Sequence, residues 1–128
     1  MMVVVERGSD EPVYEQIARQ IREHVASGEL RPGSPLPTVR TLASDLGVNL
    51  NTVARAYWLL EEEGFVLIRD RSGAEVSAPS RRPNADREKL RLELRELLAR
   101  MRQAGLSSEH LRRLAEREIA SLAESLVK

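Results

Sequence analysis

Side chains that form hydrogen bonds gather on both sides of Gly47, where a glycine separates two runs of helix-forming residues. Arginine presents a planar fork of donors, and asparagine and threonine offer short polar groups, so these types suit phosphates and the edges of nucleic-acid bases. Free backbone N–H groups at the start of a helix add affinity for anions. No nucleophile–base pair and no glycine-rich phosphate loop accompanies them, so we expect binding rather than an enzyme. The candidate contact residues are Arg40, Asn49, Leu50, Asn51, Thr52 and Arg55.

The stretch 34–64 must hold these residues in place. Thr38 predicts the N-cap of one helix, Gly47 predicts its end in the left-handed conformation, and Asn49 predicts the N-cap of the next helix. Two helices joined by so tight a corner form a helix-turn-helix, whose second helix offers its first turn to the major groove of DNA.

Four of the contact residues also have a structural alternative. Trp58 poses a separate question, because it falls outside the buried stripe of its helix; we expect it to pack on the first helix, the linker or the C-terminal helices, as a hypothetical domain interface. The structural alternatives are an Arg40–Asp45 ion pair, an Arg55 pair with Glu61 or Glu62, a purely capping Asn49, and a Leu50 that packs at the corner instead of touching a thymine methyl group.

One more helix and a hairpin complete the first domain. Ser9 and Asp10 are candidate caps of a helix over about 12–27, whose apolar residues recur at helical spacing. Strand-forming residues at 65–69 and 74–77 flank a turn and predict an antiparallel hairpin. A hairpin directly after a helix-turn-helix makes a winged helix. Its wing adds three candidate DNA contacts, although wing tips are also often mobile: Arg69, Arg71 and Gly73.

Residues 79–85 form a polar linker broken by proline, and it separates the domain 1–78 from two further helices in 86–128. Two helices of this length cannot enclose a core, so we expect a second copy of the chain to cover their apolar stripes. The predicted fold is mainly α with a small β-hairpin, an N-terminal winged helix-turn-helix followed by a two-helix dimerisation and effector segment. The residues expected at the dimer contact are Leu90, Leu94, Leu97, Leu98, Met101, Leu111, Leu114, Ile119, Leu122 and Leu126.

The composition of the 128 residues excludes several classes of protein. Cysteine is absent, which rules out disulfides and thiolate metal sites. His24 and His110 stand apart from other ligand types, so we expect neither a metal nor a cofactor. No apolar run reaches the ~20 residues that span a membrane, and the first residues lack the features of a signal peptide, so we expect a cytoplasmic protein.

At first sight, the charge balance argues against the binding of nucleic acid. The net charge is zero, and residues 1–78 carry eight arginines against twelve acidic residues, a net charge of −4. DNA-binding domains often have a basic excess. We expect the acids to lie in the first helix and at the end of the third, which leaves the contact face basic. The alternative function is a winged-helix adaptor that docks a basic protein and binds no specific DNA.

The stretch from Gly28 to Gly64 closely resembles the DNA-binding domain of the GntR family of bacterial transcription regulators. The start of helix 1 at 12–17 and the short C-terminal segment are similar to the YtrA-like branch of that family. The chain departs from the family pattern at Leu50, where many members have arginine, and in the wing, where one glycine is lost. The matching residues are Gly28, Leu30, Pro32, Gly33, Leu36, Pro37, Arg40, Leu42, Ala43, Leu46, Gly47, Val48, Thr52, Val53, Ala56, Tyr57, Leu60, Glu63 and Gly64.

The resemblance implies a function in more detail than the residues do. It implies a sequence-specific transcription regulator that acts as a homodimeric repressor on a palindromic double-stranded DNA operator. It also leaves room for a small-molecule effector, of unknown identity, bound between the helical pair and the winged domain.

Overall fold

A computed structural model describes residues 1–69, 73–78 and 85–124 of the chain. Arg71 and Leu126, both predicted site residues, lie outside the described residues. The mainly helical fold with a small hairpin is confirmed, and no helix in the described part of the chain is long and apolar enough to cross a membrane. The elements are α1 (Val13–Ala26), α2 (Val39–Leu46), α3 (Leu50–Glu62), β1 (Val66–Arg69), β2 (Gly73–Val76), α4 (Ala85–Gln103) and α5 (Ser108–Glu124).

Local capping sets the ends of α2 and α3 as predicted. The Thr38 hydroxyl accepts a hydrogen bond from the backbone N–H of Thr41 at 3.1 Å. Gly47 ends α2 in the left-handed conformation with φ of 66°, which glycine adopts without steric cost. The Asn49 side chain then accepts from the N–H of Asn51 at 2.7 Å. These caps make the corner of the helix-turn-helix.

One hydrophobic core joins the three N-terminal helices to the hairpin. Helix α3 contacts α1, α2 and β1, so it lies at the centre of the domain. Its spacing of apolar residues places one face inward and leaves the other to solvent. The core residues are Ile17, Ala18, Ile21, Leu36, Leu42, Ala43, Val53, Ala56, Tyr57, Leu60, Val66, Ala74 and Val76.

The predicted cap of the first helix is wrong. Helix α1 begins at Val13, and its N-cap is Pro12, which makes no side-chain capping hydrogen bond. The Ser9 hydroxyl instead accepts from the N–H of Glu11 at 3.1 Å and so stabilises the turn that precedes the helix. Ser9 stands too far ahead of the first helical residue to serve as its cap.

The proline-rich connector after α1 pairs with the hairpin. The N–H of Gly33 donates to the carbonyl of Val76 at 2.8 Å, and the N–H of Val76 donates to the carbonyl of Ser34 at 2.9 Å. The N–H of Leu36 donates to the carbonyl of Ala74 at 2.8 Å. The sequence predicts only a rigid connector here. These hydrogen bonds attach β2 to the connector between α1 and α2, and a hairpin of two strands is only marginally stable without such support.

Two glutamines of α1 hold the N-terminal segment along the helix. The amide of Gln16 exchanges hydrogen bonds with the backbone N–H and C=O of Glu6 at 2.8 and 2.9 Å. Gln20 does the same with Val4 at 2.9 and 2.7 Å. Residues four apart lie on one side of a helix, so both amides meet alternate residues of one extended segment. Arg7, just beyond this segment, donates to the carbonyl of Gly47 at the helix-turn-helix corner.

Replacing Gln16 by alanine should lower the free energy of unfolding by about 2 kcal/mol, measured by urea denaturation. Gln16 is only 3% exposed, and its amide also donates to the Glu11 carbonyl at 2.8 Å, so the change leaves several backbone groups without partners. Gln20→Ala is the matched control, because its bonds to Val4 are exposed to water and should cost less than about 1 kcal/mol. Equal losses for the two variants would contradict this assignment.

Candidate nucleic-acid interface

A groove of about 450 Å³ runs beside α3, between the start of α2 and the hairpin. Its walls bring residues of all three elements together, including predicted contact residues from each of them. No acidic side chain is among its lining residues in the described part of the chain. The lining residues that bear on binding are Arg40, Leu50, Ala54, Trp58, Ile68 and Gly73.

Arg40 lies exposed at the first turn of α2. Neither the predicted alternative pair with Asp45 nor any other ion pair of Arg40 is present among the described residues. Its guanidinium donors therefore face solvent at one wall of the groove, where a guanine edge or a phosphate can accept them.

The N-terminal turn of α3 is also open to solvent. Asn49 and Asn51 are exposed, and Thr52 is half-buried. The side-chain carbonyl of Asn49 accepts the capping hydrogen bond, whereas the side-chain N–H₂ group stays available. Capping and DNA contact are therefore compatible. The side chain of Asn51 is exposed and has no hydrogen-bond partner among the described residues, so it offers its whole amide. The backbone N–H groups of this first turn add positive potential at the same end.

Arg55 has a partner that the sequence analysis did not predict. Its guanidinium lies 3.8 Å from the centroid of the Tyr14 ring in α1, so it stacks in a cation–π contact. The predicted pairs with Glu61 or Glu62 do not form. The Glu61 carboxylate instead accepts from the N–H of Ile68 at 2.8 Å. Arg55 thus stands beside α1 with its charge intact, and its donors remain at the protein surface.

The two described wing residues have structural roles. Arg69 Nε donates to the Glu75 carboxylate at 2.7 Å across the hairpin, so its charge is partly neutralised. Gly73 has φ of 92°, and a Cβ placed there would lie 3.4 Å from the Cα of Thr38. Glycine suits this position because it adopts the positive φ without strain, and the strand there lies beside the N-cap of α2.

Tyr57 ties the floor of the groove to the connector. Its hydroxyl donates to the carbonyl of Pro37 at 2.6 Å. Burial raises the pKa of the Tyr57 hydroxyl, because the phenolate would lose its hydration, so the group stays a donor over the physiological range. The bond holds the residue before Thr38 and thereby the start of α2.

Trp58 does not pack as predicted. Its side chain is 64% exposed and lines the groove with Leu50 and Ala54 instead of being buried against α1, the linker or the C-terminal helices. The hypothesis of a domain interface at Trp58 is therefore not supported within the described residues. Ala54, Trp58 and Ile68 are groove residues that the sequence analysis missed, and the spacing of four from Leu50 to Ala54 to Trp58 was the available signal.

Several acidic residues of the first domain form ion pairs with its arginines, and none of the acids lines the groove in the described part of the chain. Glu11 pairs with Arg19 at 3.0 Å, and this hydrogen bond holds the pKa of the Glu11 carboxyl below its usual range. Glu63, at the end of α3, pairs with Arg22 of α1 at 2.7 Å. Although the first domain has a net charge of −4, the charged residue that lines the groove is an arginine.

The residues expected at the dimer contact fall into two groups, one buried or half-buried and the other exposed. Leu111 is buried, Leu114 is half-buried, and α5 contacts α1 and α4, so these two leucines use their apolar surface within one chain. Leu98 and Met101 are half-buried. The remaining described members stay exposed although they are large and apolar: Leu90, Leu94, Leu97, Ile119 and Leu122.

The model of the family "Bacterial regulatory proteins, gntR family" matches residues 13–76, which is half of the chain. The chain belongs to the gntR family. The matched part contains the helix-turn-helix and the hairpin, so the winged helix is the part of this gntR-family chain that the family model covers.

Two curated regulators are similar to this gntR-family chain over the same domain. HTH-type transcriptional regulator Rv1152 of Mycobacterium tuberculosis is 48% identical over 66 residues, or 52% of this chain and 54% of the relative. HTH-type transcriptional repressor YtrA of Bacillus subtilis is 43% identical over 65 residues, or 51% of this chain and 50% of the relative. The matched region thus spans about half the length of these curated relatives.

Solved structures extend the similarity beyond the winged helix. A transcriptional antiterminator from Listeria monocytogenes EGD-e has a TM-score of 0.82 at 27% identity, with 95% of this chain and 92% of that chain covered. The GntR-family transcription factor YtrA from Sulfolobus acidocaldarius has a TM-score of 0.62 at 39% identity, with 77% and 99% covered. The similarity to two YtrA proteins identifies the gntR-family chain as YtrA-like.

Proposed function

We propose that this gntR-family chain is a homodimeric repressor that binds a palindromic DNA operator in the cytoplasm. The observation that carries the proposal is the arrangement of the groove, where Arg40 lies beside the uncovered first turn of α3. In a helix-turn-helix this turn enters the major groove, so Arg40, Asn49 and Asn51 all reach the same half-site. Repression is inferred from the similarity to the transcriptional repressor YtrA of Bacillus subtilis.

Dimerisation supplies a second recognition helix, which binds the second half-site of the operator. Leu90, Leu94, Leu97 and Met101 follow one another at spacings of four, three and four residues, which is typical of a helix seam that packs against a second helix. Two copies related by a two-fold axis place their recognition helices about one turn of DNA, or ~34 Å, apart. Binding by a small effector between the helical pair and the winged helix stays a prediction.

The adaptor hypothesis rests on an acidic first domain that docks a basic partner. Ion pairs inside the domain leave its net charge of −4 unchanged, but the groove itself has no acidic lining residue in the described part of the chain. What the groove exposes is cationic and apolar. That surface suits DNA better than a basic protein.

Binding to DNA should be sensitive to salt and to sequence. A duplex enriched from a library with a randomised core, followed by fluorescence anisotropy with the purified chain, gives the affinity. With about four phosphate contacts per dimer, the affinity should fall about a hundredfold between about 50 and about 200 mM salt. A reporter gene behind the enriched duplex should be repressed. Failure to enrich any sequence would contradict the proposal, and activation of the reporter would contradict its repressor part.

A further inference from the structure

The side of α3 that faces the groove carries apolar side chains where an arginine-rich reading face is usual for DNA-binding helices. Leu50, Ala54 and Trp58 are four residues apart, so they follow one another along one side of the helix. Leu50 is 44% exposed and Trp58 is 64% exposed, while Ala54 is half-buried. All three line the same groove as Arg40. We call Leu50, Ala54 and Trp58 the apolar stripe.

The chemistry of base edges limits what the apolar stripe can contact. In the major groove these edges carry hydrogen-bond donors and acceptors, and the one apolar group among them is the C5-methyl of thymine. An aliphatic side chain in front of a carbonyl or amino group removes its water without supplying a hydrogen bond, which costs free energy. Against a thymine methyl, the same side chain buries apolar surface on both partners.

The rest of the groove argues for DNA as its occupant. The Tyr57 side chain is buried and its hydroxyl proton is donated to the Pro37 carbonyl, so it offers no donor to a ligand in the groove. Arg40 of α2 is the charged member of the lining, and the amides of Asn49 and Asn51 lie at the start of the neighbouring helix α3. A cationic wall beside apolar side chains complements a polyanion that also carries methyl groups. Thymine-containing duplex DNA has both properties.

We propose that Leu50 and Ala54 recognise thymine C5-methyl groups in each operator half-site, with Arg40 anchoring the adjoining phosphate or guanine. The inference rests on the proposed binding of DNA, and it adds the base chemistry of the operator. Leu50 is the first residue of α3, and Ala54 lies one turn further, about 6 Å along the axis, so together they reach neighbouring base pairs.

Deoxyuridine tests this directly, because it pairs like thymidine and lacks the methyl group. The duplex enriched from the randomised library is synthesised in a thymidine form and in a form with deoxyuridine in both half-sites. The wild-type chain should bind the deoxyuridine form about fourfold more weakly for each contacted methyl group, and about fifteenfold when each half-site loses one. Deoxyuridine placed only in the flanks should leave the affinity unchanged.

Leu50→Ala should lower the preference for the thymidine form by about fourfold per half-site, since the variant cannot reach the methyl group. Leu67→Ala is the matched control, because Leu67 is 43% exposed in β1 and lies outside the groove lining, and it should keep the full preference. Circular dichroism checks that both variants fold.

Two results would overturn the inference while the binding of DNA stands. One is equal affinity of the wild-type chain for the thymidine and deoxyuridine duplexes. The other is a Leu50→Ala variant that loses the same factor on both duplexes, which would make Leu50 a packing residue at the corner. If no duplex is enriched or bound, the proposed function itself fails and the inference falls with it.

Discussion

Replacing Leu94 and Leu97 together by glutamate should leave the chain monomeric and weaken its binding to the palindromic duplex by about a hundredfold or more. These large apolar side chains are 55% and 44% exposed on α4. A two-fold contact would bring four glutamates into one seam, where burial and like-charge repulsion both oppose association. Sedimentation equilibrium gives the mass, and anisotropy gives the affinity.

Leu92→Glu is the control for this change. Leu92 is 50% exposed on the same helix, but it lies two residues from Leu94 and therefore on the opposite side of α4. The control should remain dimeric with its affinity intact. A dimeric Leu94→Glu/Leu97→Glu double variant would place the contact between copies elsewhere, and Ile119 and Leu122 of α5 would be the next residues to change.

Arg40→Ala should reduce the affinity for the enriched duplex by at least about thirtyfold. One guanidinium contact with a base is worth about 1 to 3 kcal/mol, and the dimer makes it twice. If Arg40 meets a phosphate, the slope of affinity against salt should also fall by about one for each lost contact. If it meets guanine, the variant should instead tolerate a base change at one position of each half-site. Anisotropy at several salt concentrations separates the two cases.

Arg31→Ala removes the same charge from the exposed connector and controls for general electrostatics. Like Arg40, Arg31 forms no ion pair among the described residues. We expect it to lose less than about threefold in affinity, because a charge away from the bound surface acts only through the screened field. Equal losses for Arg31→Ala and Arg40→Ala would remove Arg40 from the interface.

The sequence predicts well those parts of the fold that depend on residues close together along the chain. Thr38 and Asn49 bond to residues two or three positions ahead, and the left-handed turn at Gly47 needs only the absence of a side chain. Such signals lie within one helical turn, so spacing alone reveals them. The same holds for the buried faces of α1 and α3, which follow from helical periodicity.

Contacts between distant segments escaped prediction. The side-chain amides of Gln16 and Gln20 bond to backbone groups ten or more residues earlier in the chain, and polar residues on a helix are ordinarily assumed to face water. The stacking of Arg55 on Tyr14 depends on the packing of α3 against α1, and an acidic partner in the same helix was the simpler expectation.

Trp58 shows how a correct observation led to a wrong prediction. Its position outside the stripe of Val53, Tyr57 and Leu60 is visible in the sequence, and burial against another element was the natural inference for so large an apolar side chain. Its phase with Leu50 and Ala54 was equally visible. Only the structure shows that this second line of residues stays open to solvent.

The exposed indole of Trp58 also gives the chain an intrinsic fluorescent probe. It is the sole tryptophan of the sequence, so excitation at wavelengths that tyrosine does not absorb reports on this groove and on nothing else in the chain. Any molecule that displaces water from the groove should alter the emission spectrum. The kinetics of groove occupancy can therefore be followed by stopped-flow mixing on unlabelled, unmodified protein.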